Sequence, residues 1–254
     1  MSEDGSKNLK ENNKLFYNSK FGLENITREI PSFNFICDRF GVKIPQGASV
    51  IEIGCGTASC LLSLKCETRV GLDISTVNLT IAKRRNQELI LVCADAENIP
   101  FQEKCFDIVL IVDLLHHVPV PANVIKECSR ILKKTGQVFI FDACRDGVKP
   151  ISPVAMFVEW LSKRWGNNIE TLGPSLSELS SWLDSYKLHV LKRFGEGTFM
   201  RYINSMASSL LGKFGMPLPH KVQRIFSSFD KKLQICSKKF PIKIGIMAIK
   251  RMNT

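Results

Sequence analysis

The chain has 254 residues, of which 44% are hydrophobic and 23% are charged. These values are typical of a globular protein of one or two domains, and they exclude a fibrous or wholly disordered chain. The formal net charge of +11 is concentrated at the C-terminal end, because residues 200–254 carry eleven basic side chains and one acidic side chain.

The sequence predicts a cytoplasmic protein. No apolar run reaches the roughly 18 residues that a membrane-spanning helix requires, and the first fourteen residues are polar and contain no apolar signal region. The nine cysteines form neither C-x-x-C pairs nor Cys/His clusters at zinc spacing. They are therefore interpreted as reduced, buried thiols, and no metal site is predicted.

Residues 1–14 are predicted to be a flexible tail, and residues 15–40 show apolar residues at helical spacing. The core, residues 45–145, then alternates between strand-like and helix-like segments. This alternation predicts βαβ units in a doubly wound, Rossmann-like parallel sheet with helices on both faces. The core segments are SVIEIG, a helix through Leu61 to Leu64, RVGLDIS, a helix around Leu79 to Arg85, LILVCADA, FDIVLIVD, a helix from Ala122 to Leu132, and QVFIFDA.

Beyond the core, the pattern predicts more helices and two more strands. An aromatic helix is expected at 151–166, and a second helix over SLSELSSWLDSY begins with Ser175 or Ser177 as its N-cap. The segment KLHVLKRFGEG is a predicted strand. Amphipathic helical segments follow within residues 200–240, before the final strand IKIGIMAIKR.

The segment VIEIGCGTA ends the first core strand in a loop with two glycines, Gly54 and Gly56. Residues without a Cβ allow a ligand to approach the backbone. The dinucleotide fingerprint G-x-G-x-x-G is incomplete, since Ser59 occupies its third glycine position. Asp73 ends the second strand, where a carboxylate can accept from both hydroxyls of a ribose, and Asp95 ends the third.

The order of these motifs resembles the class I S-adenosylmethionine (SAM)-dependent methyltransferases, most closely the type-11 branch that includes the ubiquinone and menaquinone C-methyltransferases. The resemblance runs from Val50 to Asp142. The chain departs from the family pattern at Ala58, where a third glycine is common, and at Thr135, where Pro or Gly is common. The matching motifs are EIGCG, DIS, DAENIPF, FDIV, LHHV and ECSRILKKTG.

This resemblance implies one methyltransferase domain over residues 15–254, with SAM as cofactor. It implies a seven-stranded, mostly parallel sheet with an antiparallel last strand and a helical insertion before that strand. Residues 15–40, 151–166 and 200–240 would form cap or lid elements. The cofactor-binding residues that it implies are Glu52, Gly54, Cys55, Gly56, Asp73, Ile74, Asp95, Ala96 and Val112.

Each implied role has a structural alternative. The glycine loop would pass under the amino-acid part of SAM, and Glu52 would either reach its ammonium group or only brace the loop. Asp73 would hold the ribose or cap the following helix, and Asp95 would read adenine or cap its own turn. Ile74 would pack on the adenine, whereas Cys55 is interpreted as a small residue that fits.

His116 is the preferred candidate for a general base, because it follows the fourth strand and a histidine titrates near neutral pH. The alternative is that the motif LHHV only packs at the start of a helix. A base is required only if the acceptor must lose a proton.

The sequence favours a small hydrophobic or lipid-like acceptor, methylated on carbon or oxygen. It lacks the [DN]-P-P-[YFW] motif and the Pro-Cys nucleophile of enzymes that methylate nucleobases, so DNA is not expected as a partner. The basic amphipathic segment within 220–240 is interpreted as a lid, a contact with an anionic membrane, or a helix packed on the core. Alternatives are an RNA methyltransferase that uses this basic segment, a SAM-binding partner protein without activity, and an NAD-linked dehydrogenase. The oligomeric state stays open.

Overall fold

A computed structural model describes residues 33–146, 173–196 and 243–251, together with Lys7, Lys10, Glu11, Lys14, Leu15 and Asn18 of the N-terminal stretch. Seven strands form one sheet in the order β3-β2-β1-β4-β5-β7-β6. They are β1 (Ser49–Ile53), β2 (Thr68–Asp73), β3 (Ile90–Cys93), β4 (Phe106–Val112), β5 (Leu132–Ala143), β6 (Leu188–Glu196) and β7 (Lys243–Lys250). The helices in the described ranges are α1 (Phe33–Phe40), α2 (Ser59–Leu62), α3 (Thr76–Arg85), α4 (Pro121–Ile131) and α5 (Leu176–Ser185).

The first five strands pair in parallel, and β7 is antiparallel to both of its neighbours, β5 and β6. This confirms the mostly parallel sheet with an antiparallel last strand. Strand β1 lies between β2 and β4, so the strand order reverses there. A crevice opens beyond the carboxyl ends of the strands at such a point, and ligands bind in it.

Helices cover both faces of the sheet, as predicted. Strands β1 and β4 are buried almost throughout, which explains their continuously apolar sequences. On one face, residues of α4 and α5 pack on the sheet around Ile53, Ile111 and Ile140. On the other face, residues of α1, α2 and α3 pack around Val50, Leu110 and Phe139. The Leu61 to Leu64 helix begins slightly earlier than predicted, at Ser59.

The start of α5 is set by a capping box, which selects Ser175 rather than Ser177 as the N-cap. The Ser175 hydroxyl accepts a hydrogen bond from the Glu178 backbone N–H, and the Glu178 carboxylate accepts from the Ser175 N–H at 2.8 Å. Two otherwise unpaired backbone donors are thereby satisfied at the helix end.

Several sequence predictions lie outside the described residues: the helix at 151–166, the amphipathic segments at 200–240 and the helical insertion before β7. The proposed lid and the membrane-binding segment therefore stay predictions. None of the helices in the described ranges is both long and apolar enough to span a lipid bilayer. None of the eight described cysteines forms a disulfide, and five of them are buried.

Candidate active site

The glycine loop after β1 has the backbone geometry that its sequence suggests. Gly54 and Gly56 have φ angles of +72° and +51°, a left-handed region in which side chains are disfavoured. The N–H groups of Gly54 and Cys55 both donate to the Leu72 carbonyl of β2, at 2.7 and 3.0 Å. A Cβ added to Gly54 would lie 2.7 Å from the Leu114 side chain, whereas a Cβ on Gly56 would meet nothing within 4 Å. The loop is therefore anchored on β2 and open at Gly56.

Ala58, at the position where the family commonly has a third glycine, also adopts a left-handed conformation, with φ +61°. The same holds for Thr135, with φ +62°. Both departures from the family pattern thus place a side chain where the backbone would favour glycine. The fold tolerates them, so they do not argue against the resemblance.

Glu52 lies beneath this loop in β1 and is only 3% exposed. Its carboxylate accepts hydrogen bonds from the Leu61 backbone N–H and the Cys60 thiol, but its Oε2 atom has no hydrogen-bond partner among the described residues. Burial raises the pKa of Glu52 to about 8. A buried carboxyl group with an unused oxygen favours a cationic or hydrogen-donating ligand nearby.

Asp73, at the end of β2, binds the loop that precedes it and the helix that follows. Its carboxylate accepts from the N–H groups of Gly56 and Ser75, both at 2.8 Å. The N-cap of α3 is Ser75, whose hydroxyl accepts from the Asn78 N–H, so Asp73 is not the capping residue. The Asn78 side chain and the Ile74 N–H also donate to this carboxylate, so four donors of the protein hold Asp73, and a carboxylate offers about four lone-pair sites.

The next three candidate residues follow the carboxyl ends of β2 and β3. Ile74 follows Asp73 and is half-buried, and Asp95 and Ala96 follow β3. The Asp95 carboxylate accepts from the Glu97 N–H at 2.9 Å, which is the turn-capping contact that the sequence also allowed.

The Cys55 side chain is 2% exposed, and its Sγ would lie 2.7 Å from a Cβ added to Gly71. Cys55 therefore fits as a small buried residue whose side chain packs against β2.

N-terminal residues also reach this edge, although the sequence predicts a flexible tail through residue 14. Lys7, Lys10, Glu11 and Lys14 are helical in the structure. Lys10 Nζ lies 2.7 Å from Asp95 Oδ2, so it occupies one oxygen of a predicted adenine-reading residue. Sequence reasoning missed this contact, because an ion pair across 85 positions leaves no local pattern.

A second group of polar side chains gathers at the ends of β4, β5 and β7. Val112 ends β4 and is buried, and Asp113 follows it with φ +51°. His116 Nδ1 lies 2.6 Å from Asp142 Oδ1, and Asp142 is fully buried at the end of β5. Lys243, the first residue of β7, contacts both carboxylate oxygens of Asp113, at 2.5 and 2.6 Å. Sequence reasoning found His116 but missed Asp142 and Lys243.

The ligand atoms of Asp113, His116 and Asp142 lie within 4.8 Å of one another, which is close enough to hold a metal ion. The donors already present favour another interpretation. Asp142 accepts from three backbone N–H groups in addition to His116, and the Asp113 carboxylate is paired with Lys243. We therefore interpret the three side chains as part of a hydrogen-bonded network.

Burial alone lowers the pKa of His116, but the charge and the hydrogen bond of Asp142 outweigh it and raise this pKa above its ordinary value. Burial would raise the pKa of Asp142, and the attraction of His116 and the backbone donors reverses this, so the pKa of Asp142 is lowered. The centroid of the neighbouring His117 ring lies 3.8 Å from that of His116, and the two rings are tilted by 45°. Burial lowers the pKa of His117 to about 3. Only His116 of the two histidines is thus suited to take up a proton near neutral pH.

Comparison with known proteins agrees with the resemblance seen in the sequence. A family profile described as a methyltransferase domain matches residues 51–140. The chain is 31% identical over 121 residues to a demethylmenaquinone methyltransferase of Staphylococcus saprophyticus, covering 44% of this chain and 50% of that protein. It is 35% identical over 116 residues to a ubiquinone biosynthesis O-methyltransferase of Pseudomonas putida, covering 42% of this chain and 47% of that protein. The matches thus span about half the length of these curated relatives.

A solved structure shows the same fold over most of the chain. The geranyl diphosphate C-methyltransferase of Streptomyces coelicolor superposes with a TM-score of 0.60 at 14% identity, covering 85% of this chain and 77% of that one. At this identity the likeness concerns the fold alone. The likeness confirms the predicted fold, whereas the profile match and the curated relatives confirm that residues 51–140 are a methyltransferase domain of the predicted family.

Proposed function

We propose that this protein is a SAM-dependent methyltransferase that methylates a small hydrophobic acceptor on carbon or oxygen. The observation that carries the proposal is the buried Glu52 carboxyl group, whose Oε2 lacks a partner among the described residues, next to the open backbone at Gly56. The amino-acid part of SAM bears an ammonium group that would supply such a partner. The residues present therefore fit the cofactor.

The remaining cofactor contacts follow the edge of the sheet. Asp73 would accept from the ribose hydroxyls in exchange for part of its contacts with the four donors that hold it. Ile74 would pack on the adenine, and Asp95 with the Ala96 N–H would read its edge. The carbonyl at Val112 would accept from the ammonium group. The Asp95 carboxylate would then bind both the adenine and Lys10, whose Nζ donates to Asp95 Oδ2 in the structure.

When bound, SAM supplies a methyl group on a positively charged sulfur. The protein would hold the acceptor atom in line with that methyl group and exclude water, and both effects accelerate methyl transfer. His116 would accept a proton from any acceptor that must lose one.

The acceptor class is supported by the curated relatives, whose names place them in quinone biosynthesis. A quinone precursor carries an apolar ring with hydroxyl groups, which agrees with the hydrophobic acceptor that the sequence favours. No described residue fixes the length of the acceptor.

The proposal is tested by calorimetric titration with SAM and, separately, with NADH. We expect micromolar binding of SAM and none of NADH. A screen of methyl transfer to quinone precursors, phenols, lipids and tRNA then identifies the acceptor. Binding of NADH without SAM would refute the proposal, and SAM binding without transfer to any acceptor would identify a silent SAM-binding protein instead.

Substitution of Asp73 tests the nucleoside site. Asp73→Ala should weaken SAM binding by about 1.5–3 kcal/mol, because charge-assisted hydrogen bonds to the ribose are lost. It should also lower the free energy of unfolding, since the N–H groups of Gly56 and Ser75 lose their acceptor. Asp184→Ala, at an exposed position of α5, is the matched control and should change neither. Unchanged SAM affinity in Asp73→Ala would remove Asp73 from the site.

A further inference from the structure

The carboxylate of Asp142 is held by four hydrogen-bond donors at the end of β5. Its Oδ2 accepts from the N–H groups of Leu114 and Leu115, both at 2.7 Å. Its Oδ1 accepts from the Ala143 N–H at 2.7 Å and contacts His116 Nδ1 at 2.6 Å. Because Asp142 is completely buried and immobilised in this way, it fixes the position of the His116 ring.

This arrangement also selects the tautomer of His116. An ionised carboxylate can only accept hydrogen bonds, so Nδ1 of His116 must carry the proton that lies between the two groups. In the neutral ring Nε2 is then the unprotonated, basic nitrogen. The structure gives Nε2 no hydrogen-bond partner among the described residues.

A positive charge lies beside this base. Lys243 Nζ is paired with Asp113, whose carboxylate is within 4.8 Å of the ligand atom of His116. The Asp113 and Lys243 side chains are 28% and 31% exposed, so this pair is partly accessible to solvent. The titratable groups facing His116 are thus Asp142, His117, Asp113 and Lys243.

We infer that Asp142 is a positioning residue that presents Nε2 of His116 as the general base, and that the acceptor is a molecule with an acidic hydroxyl group, such as a phenol or a catechol. The inference rests on the proposed function. The hydroxyl proton passes to His116 Nε2 while the oxygen forms its bond to the methyl group and the methyl–sulfur bond breaks. The products are the methyl ether, S-adenosylhomocysteine and a protonated His116. Lys243 stabilises the negative charge that develops on the oxygen.

The substitution Asp142→Asn tests the tautomer directly. The asparagine carbonyl would take the Oδ2 position, where Leu114 and Leu115 donate to it. Its NH₂ group would then face His116 Nδ1 and donate to it, so that the proton of the imidazole moves to Nε2, while the Ala143 N–H loses its acceptor. The variant thus keeps the ring but blocks its basic nitrogen.

Three probe acceptors separate proton removal from a purely structural role. They are 4-dodecylcatechol, which must lose a proton, 4-nitrocatechol, which is already ionised at pH 8, and 4-dodecylpyridine, which has no proton to lose. At pH 8, Asp142→Asn should lower kcat for 4-dodecylcatechol at least about 100-fold, which is the low end for general-base catalysis. It should lower kcat for 4-nitrocatechol less than about 10-fold and leave the SAM dissociation constant unchanged.

Further variants keep the test decisive if Asp142→Asn folds poorly. His116→Gln should show the same selective loss, and the double variant should lose no more than either single variant, since both act on one proton transfer.

Any catechol activity left in Asp142→Asn should show the acidic limb of its pH profile at lower pH, because the charge that raises the pKa of His116 is removed. Asp107→Asn removes a carboxylate at the opposite end of β4, paired there with Ser49 and Lys133, and serves as control.

Equal losses for both catechols, or losses within about threefold of the wild type, overturn the inference. Transfer by the wild type to 4-dodecylpyridine but to neither catechol also overturns it, while the proposed methyltransferase function stands. If SAM binds and no acceptor is methylated, both fail.

Discussion

Several non-glycine residues of this chain adopt left-handed backbone conformations, and the reason for this conformation differs from residue to residue. Asp113 lies in the candidate site, where aspartate tolerates such angles better than most residues and where strained backbone often accompanies function. Thr135 is exposed in the bulged first part of β5, at the other end of this strand from Asp142. A β-branched residue in this conformation strains the backbone, and Thr135 has no role in the candidate site.

Thr135→Gly should therefore stabilise the protein. Relief of the left-handed strain is worth about 1–2 kcal/mol, and the greater flexibility of glycine in the unfolded chain offsets about 0.5–1 kcal/mol. We expect a net gain of about 0.5–1 kcal/mol in the free energy of unfolding, measured by urea denaturation. Thr80→Gly, at an exposed helical position of α3, is the control and should lose about 0.3–0.5 kcal/mol. Equal losses in both variants would show that Thr135 is not strained.

At the scale of elements, the ends of helices and strands determine the site. Ser75 caps α3, and Asp73 connects the start of this helix to the glycine loop, since it accepts from the N–H groups of Ser75 and Gly56. Residue Asn18 of the N-terminal stretch accepts from the Ser75 hydroxyl at 2.7 Å, so the stretch is held at two points along one edge of the sheet, here and at Asp95.

The capping box of α5 gives a prediction at this scale. Ser175→Ala should lower the free energy of unfolding by about 1 kcal/mol, because the N–H of Glu178 loses its acceptor in a buried position. Ser177→Ala removes a hydroxyl two residues away on an exposed residue and should change stability by less than about 0.5 kcal/mol. Thermal or urea unfolding compares the two, and a larger effect at Ser177 would identify it as the true N-cap.

At the scale of the whole molecule, burial of acidic groups links folding to pH. Glu52 and Asp73 are both enclosed beneath the glycine loop, and burial raises the pKa of each. A group whose pKa is higher in the folded state binds more protons there than in the unfolded chain. Its contribution to stability is therefore present at low pH and is lost as the pH rises towards its folded pKa.

For Glu52 the relevant interval extends from its ordinary pKa of 4.5 to about 8. Over this interval its contribution to the free energy of unfolding of the ligand-free protein should decrease with a slope of at most about 1.4 kcal/mol per pH unit. Glu52→Gln keeps the shape of the side chain and should remove this slope. Urea denaturation of both proteins between pH 5 and pH 8 measures the difference, and parallel curves would show that Glu52 does not titrate in this range.

The sequence by itself determined the fold and half of the candidate site. Alternating apolar strands and helices are local patterns, and the motifs from Glu52 to Gly136 follow one another at a spacing that identifies the family. The glycine loop, Asp73, Asp95 and His116 were therefore predictable, since each lies at the end of a predicted strand or next to one.

Only the tertiary structure decided which side chains meet. Asp142 binds His116 across 26 positions, Lys243 reaches Asp113 across 130, and Lys10 reaches Asp95 across 85. Each pair forms because sheet order places β7 beside β5 and β5 beside β4, or because the N-terminal stretch lies along the edge of the sheet. Periodicity and spacing report contacts between near neighbours, whereas pairing between distant strands depends on the packing of the whole sheet.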